Sequence, residues 1–299
     1  MLKIWVLIRV IAVISSSMAT ILSSLLPIYL RTSISSISLG FLFIFLSIAA
    51  VTIHGILTHA LNDYTDYRTG TDAHSPAILS GGSRVIQTRL FTAKQLRMLG
   101  KWLTISLLLL VFILLITAKF KLACLLFIGV WATVSYSVPP FLFSYRPFAG
   151  DWLSLFPSLF ALGIAGPWLV LDSIPIWAIQ NALINAFICM GWVMVHHIPD
   201  LQADQFATPK KRTTVVFFVE RFGKKAARLP ATVYYILAIL CSFWVWIDRP
   251  FAAIGTFLLC AIAIILVQKI ITDNVQQISQ IEKILLLLAM MTAVILGIG

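Results

Sequence analysis

Acidic residues are scarce in this chain. Its 299 residues include 11 Asp and Glu against 22 Lys and Arg, and charged residues of both signs reach only 11%. A soluble domain carries about 25% charge, and no soluble core needs a chain that is 60% hydrophobic. Cysteine is equally sparse. Cys124, Cys189, Cys241 and Cys260 all fall in apolar runs, and no two form a C-x-x-C pair. That spacing speaks against a disulfide framework or a zinc site. The four thiols read as small buried apolar groups.

Long apolar runs fill the space that charge leaves. Runs of about 20 such residues each cross a bilayer. They cover Ile4–Leu30, Ser38–Ala60, Trp102–Ala118, Leu122–Pro140, Trp152–Leu171, Ile176–Ile198, Leu229–Ile247, Phe251–Val267 and Ile284–Ile298. Backbone groups in lipid must find their partners internally, so the runs are predicted to be helices. The predicted fold is therefore all-α, a polytopic membrane protein of about nine transmembrane helices. The first run is too long for a signal peptide and lacks a small-residue cleavage site, so it reads as a retained helix.

A net charge of +11 raises the question of nucleic acid. Placement answers it. Arg68, Arg84, Arg89, Lys94, Arg97 and Lys101 fall between runs two and three. Lys210, Lys211, Arg212, Arg221, Lys224, Lys225 and Arg228 fall between runs six and seven. With nine spans and an inside N-terminus both loops face the cytoplasm, as the positive-inside rule requires. The bias reads as a topology signal with attraction to anionic lipid, and no nucleic-acid partner is expected.

The same two loops carry acids. Five of the 11 sit there: Asp63, Asp66 and Asp72 in the first, Asp200 and Asp204 in the second. Asn62 and Asp66 are four residues apart, as are Asp200 and Asp204, and such pairs share one face of a helical end. Paired carboxylates repel unless a cation separates them, and an all-oxygen set favours Mg²⁺ or Mn²⁺ over zinc. Mg²⁺ takes one or two protein carboxylates and completes its shell with water and phosphate oxygens. Two such clusters among Lys and Arg describe a diphosphate site. The loops lie four spans apart, which suggests two four-helix halves plus a final helix within a single domain, residues 1–299. Helix-end acids paired with loop cations would explain one cluster, but membrane-embedded ionisable residues in two matched clusters point to function.

The pattern resembles the UbiA superfamily of intramembrane prenyltransferases over nearly the full length. Asn62, Asp63 and Asp66 match its N-D-x-x-D motif, and Asp200 and Asp204 its D-x-x-x-D motif. Asp72 after Gly70, together with the Ser80–Arg84 stretch S-G-G-S-R, looks like the dihydroxynaphthoate (menaquinone) branch. Y-S-V-P-P from Tyr136 and Y-R-P-F-A-G-D from Tyr145 resemble the loop between helices four and five. The resemblance implies nine helices around a central cavity that is capped on the cytoplasmic side of a bacterial inner membrane and open laterally to lipid. It implies Mg²⁺, with Mn²⁺ as a substitute, on Asn62, Asp66, Asp200 and Asp204, and catalytic roles for Asp66, Asp72, Asp200 and Asp204. Asn62, Asp63, Arg84, Tyr145, Arg146, Lys210, Lys211 and Arg212 become the candidates to bind substrate. The implied reaction passes a prenyl group from a prenyl diphosphate to an aromatic acceptor in quinone biosynthesis. Hydroxybenzoate, homogentisate, a porphyrin and a glycerol-phosphate lipid stand as other acceptors, and an anion transporter as the rival class. The chain departs from the pattern at His196-His197, where many relatives have Asn, at Thr208-Pro209-Lys210-Lys211 in place of G-K, and at Asp151 in place of Glu.

Overall fold

A computed structural model describes residues 6–299 except 8 and 77–79. The start of the first predicted run and the middle of the first acidic loop lie outside the described residues. Among the described residues there is no strand, and nine helices are long and apolar enough to cross a membrane. In chain order the spans are α1 (Ile11–Arg31), α2 (Ser36–Thr69), α4 (Ala93–Ile116), α5 (Phe120–Ser137), α6 (Gly150–Val170), α7 (Ile176–His196), α10 (Lys224–Trp246), α11 (Pro250–Gln268) and α12 (Val275–Ile298). Three short helices join them at one end of the bundle: α3 (Thr71–His74), α8 (Leu201–Phe206) and α9 (Thr214–Phe222). The protein is an integral, multi-pass membrane protein.

The spans run past their predicted ends where polar residues continue the helix. α2 was expected to stop near Ala60, and it continues to Thr69, where Gly70 adopts φ +85° and ends it. A left-handed residue at that position is the usual helix terminator, and glycine takes it without a Cβ penalty. The N-D-x-x-D motif therefore lies inside the last turns of a helix rather than in a loop. α4 starts at Ala93 rather than near Trp102. Thr92 accepts from the Gln95 N–H while the Gln95 side chain accepts from the Thr92 N–H, and this reciprocal cap fixes the start.

Lipid is as apolar as leucine, so helix association rests on close packing rather than on hydrophobic burial. α7 is the innermost span, packed against α1, α6, α10 and α12. Small residues permit the approach: a Cβ on Gly163 of α6 would come within 2.7 Å of the Ala182 Cβ on α7. α4 instead turns Leu109, Phe112, Ile113 and Ile116 outward, each more than half exposed, the pattern of a lipid-facing helix.

Three spans wind as π-helix over part of their length: Ile14–Met18 in α1, Val51–Thr58 in α2 and Gly150–Leu155 in α6. All three stretches border one interior cavity, through Ser17, His54 and Ser154 among others. Such insertions recur at functional sites.

Candidate active site

The two acidic segments meet at one end of that cavity. The backbone N–H of Thr208 donates to the carbonyl of Thr69 at 2.9 Å, which ties the second segment to the end of α2. Asp151 secures the far side of the same loop. It accepts from Thr214 Oγ1 at 2.6 Å and from the Tyr234 hydroxyl at 3.2 Å, linking α6, α9 and α10.

Lys211 enters between the clusters. Its Nζ lies 2.7 Å from Asp66 Oδ2 and 3.9 Å from Asp204 Oδ1, and its own N–H donates to the Asp204 carbonyl at 2.9 Å. Asp66 also accepts from Tyr145 at 2.8 Å and from Asn62 Nδ2 at 3.0 Å. Burial works against the Lys211 ammonium, but the carboxylates of Asp66 and Asp204 outweigh it and hold its pKa well above the usual lysine range.

The remaining acids are fixed by a glycine-rich turn. Asp200 accepts from the Gly81 N–H at 3.2 Å and from Ser80 Oγ at 3.4 Å. Asp63 accepts from the Ser83 N–H and hydroxyl, and Asp72 from Gln87 Nε2 at 3.3 Å. Gly82 has φ +73°, and a Cβ there would stand 3.1 Å from an oxygen of both Asp63 and Asp72. Only glycine lets the chain pass between the two carboxylates without a steric cost. Burial pushes the Asp72 carboxyl up to about 8, with the charges of Asp66 and Asp63 adding to the effect. Burial likewise raises Asp200, and it raises Asp204 well above the carboxylate range.

Asp204 has no solvent exposure, and neither of its carboxylate oxygens has a hydrogen-bond partner. A buried carboxyl group without hydrogen bonds is costly, and Lys211 at 3.9 Å offsets only part of that, so the donor set is built for a cation that approaches with its own ligands. No group of three or more His, Cys, Asp or Glu converges as a metal cage among the described residues. Mg²⁺ does not need one, because phosphate oxygens and water complete its shell. The all-oxygen set of Asn62, Asp66, Asp200 and Asp204 fits that ion.

The cavity has a volume of about 590 Å³. Asn62, Asp66, Asp72, Asp200 and Lys211 line one end, and Phe45, Leu110, Leu114, Leu125, Leu162 and Leu169 line the other. It is polar and charged at one pole and hydrocarbon at the other.

The chain as a whole gives the same answer. The model of the UbiA prenyltransferase family matches residues 13–292. The chain belongs to the UbiA prenyltransferase family. No curated protein and no solved structure matches it. Membership implies prenyl transfer from a prenyl diphosphate to an aromatic or other acceptor in a lipid environment.

Within the UbiA fold not every expected residue faces the cavity. Lys210 and Arg212 turn outward to Glu220, at 2.6 Å and 2.7 Å. Arg146 is exposed and donates to the Pro140 carbonyl at 3.3 Å. Arg84 donates to the Ser75 carbonyl and does not line the cavity. Arg9 does line it, and it was missed by reading the loops alone. Its signal was present all the same: an ionisable residue inside an apolar run. Most of the chain's Phe, Tyr and Trp side chains lie away from the cavity. Its wall is mostly aliphatic, with Phe45, Tyr136 and Trp192 as the Phe, Tyr and Trp side chains among the described residues.

Proposed function

We propose that the protein transfers a prenyl group from a prenyl diphosphate to an aromatic acceptor of the dihydroxynaphthoate type, in quinone biosynthesis, with release of diphosphate. The site faces the cytoplasm in this reading, because its two loops carry most of the Lys and Arg. The observation that carries it is the two-ended cavity. A prenyl diphosphate is an anion joined to a hydrocarbon chain, and the carboxylate–Lys211 pole and the leucine-rich pole match it end for end.

Asn62, Asp66, Asp200 and Asp204 would hold Mg²⁺, and bound Mg²⁺ stabilises the charge of the leaving diphosphate. Lys211 supplies a buried ammonium to the phosphate oxygens, a charge-assisted contact. Asp72 and Asp63 brace the Gly81–Gly82 turn, whose amides stand beside the site. Tyr136 and Trp192 line the cavity and supply aromatic rings near a developing allylic cation. The apolar wall excludes the water that would quench it.

The test is product mass spectrometry on purified protein with Mg²⁺, a prenyl diphosphate and a panel of hydroxyarene and lipid acceptors. Prenylated dihydroxynaphthoate is the expected product. Prenylation of another member of the panel alone would move the assignment to that acceptor. Absence of diphosphate release with every acceptor would refute the reaction.

A further inference from the structure

Glu282 is a buried acid that the diphosphate site leaves unused. It lies on α12 with 0% exposure. Its Oε1 stands 2.7 Å from Nδ1 of His196, the last residue of α7. Trp192 fixes both partners. Its ring stacks on the imidazole with centroids 4.9 Å apart, and its indole N–H donates to the Glu282 carbonyl at 3.2 Å. A carboxylate inside a span is expensive and needs a reason.

A pair that only joined two helices would keep both polar edges of the ring in the helix interface. His196 does not. Its ring lines the cavity while Glu282 stays behind it, outside the wall. Arg9 reaches Nε2 at 3.4 Å from the cavity side. A guanidinium only donates, so it faces Nε2 as an acceptor, and the Nδ1–H donates to Glu282. The tautomer is thereby set, with the Nε2 lone pair turned toward the cavity. His59 lines the same wall, with its Nε2 buried and without a hydrogen-bond partner. Each of these two histidines precedes a motif acid by four residues, His59 before Asp63 and His196 before Asp200. They lie on the membrane side of the carboxylates, clear of the bonds those acids already make.

We propose that the hydroxyl of a hydroxyarene acceptor displaces Arg9 from Nε2, that His196, oriented by Glu282, accepts its proton, and that the displaced Arg9 guanidinium steadies the resulting oxyanion. The inference rests on the prenyltransferase reading. The acceptor O–H bond breaks and its proton passes to Nε2, giving an imidazolium paired with Glu282. Electron density moves into the ring, and a ring carbon bonds to C1 of the prenyl group. The C1–O bond to diphosphate breaks, and its electron pair leaves with diphosphate. Hydrogen on the alkylated carbon departs as a proton to diphosphate, while a carboxylate there departs as CO₂. The ring oxygen then regains its proton from the imidazolium. His196 is the base in this scheme, and Glu282 is a positioning residue. An imidazole held by a buried carboxylate is a recurring arrangement for such transfers.

The test uses the full-length protein with a prenyl diphosphate, a hydroxyarene that it turns over, and the O-methyl ether of that hydroxyarene. Wild type should prefer the hydroxyarene by at least about 100-fold in kcat, the lower range for a positioned base. His196→Gln and Glu282→Gln should remove most of that preference by lowering kcat on the hydroxyarene alone. The Kd for prenyl diphosphate should stay at the wild-type value, which also reports that the variants are folded. Equal losses on both acceptors, or unchanged kcat on the hydroxyarene, would overturn the assignment. Should a variant not fold, the wild-type comparison decides by itself, since equal turnover of arene and ether excludes a hydroxyl-directed base. Failure of wild type on every acceptor would instead remove the prenyltransferase reading.

Discussion

Replacing Lys211 with Met keeps the four-atom stem and removes the charge. The ammonium is 5% exposed at the residue level and stands 2.7 Å from Asp66. Removing one member of a buried pair leaves the other uncompensated and costs about 3–5 kcal/mol. The double variant Lys211→Met/Asp66→Asn removes both charges and leaves one amide oxygen to accept from Tyr145 or Asn62. It should recover most of the lost stability, with a coupling of about 2–3 kcal/mol, the upper end for residues in direct contact. Activity should not recover, because both changes remove groups assigned to the diphosphate. Equilibrium unfolding in mixed micelles measures the first quantity, and diphosphate release per folded molecule the second. A double variant destabilised by the sum of the Lys211→Met and Asp66→Asn costs would show that the pair does not couple, and the account of Lys211 as the counter-ion of Asp66 would fall.

Four further outcomes follow from the same geometry. Exhaustive EDTA treatment should abolish turnover and added Mg²⁺ should restore it; full activity without divalent metal would sink the metal assignment. Asp66→Asn and Asp200→Asn should each lower turnover at least about 100-fold, the upper end of the effect of changing even an outer-shell group, while Asp172→Asn serves as the control and should change little. Metal-free protein should lose stability as pH rises from about 4 toward 8: the Asp72 carboxyl binds a proton in the folded state up to about 8, the unfolded chain releases it near its ordinary pKa, and folding is favoured where the folded state holds the extra proton. Unfolding midpoints that climb over that range would contradict it. Single cysteines at Thr88 and Phe222, both exposed, in a background without native cysteines, should react with an impermeant thiol reagent from one and the same side.

The membrane architecture was legible in the sequence because apolar runs of bilayer length have few other uses. The acids were legible because charge is so rare in the chain that five of its 11 carboxylates in two loops stand out. What escaped was direction. Lys210, Lys211 and Arg212 are consecutive and chemically alike, and the backbone alternates them out, in and out, so that only the structure separates the cavity ammonium from the two that meet Glu220. Glu282 and Arg9 escaped for another reason. Each sits in a long apolar segment, Glu282 beside Lys283, with its partner 86 or 187 residues away in His196, and no local spacing signals such a pair.

The π-wound stretch at Val51–Thr58 sets the angle between two uses of one helix. Above it, α2 presents Ile37, Phe41 and Ile44 to the outside; below it, His59, Asn62 and Asp66 point into the cavity. The Thr58 hydroxyl donates to the carbonyl of Ile53, five residues back, at 2.9 Å and holds the wide turn closed. Winding this stretch as ordinary α-helix with every residue kept would turn everything after it by about 100°, the rotation of one residue in an α-helix. The motif would then swing off the cavity while the composition, hydropathy and spacing of its acids stayed intact. Ordinary winding there would leave a sequence that still reads as a member of the family and a bundle that no longer has a place for the diphosphate. The wide winding of this one span is thus as strict a requirement as the identity of any aspartate.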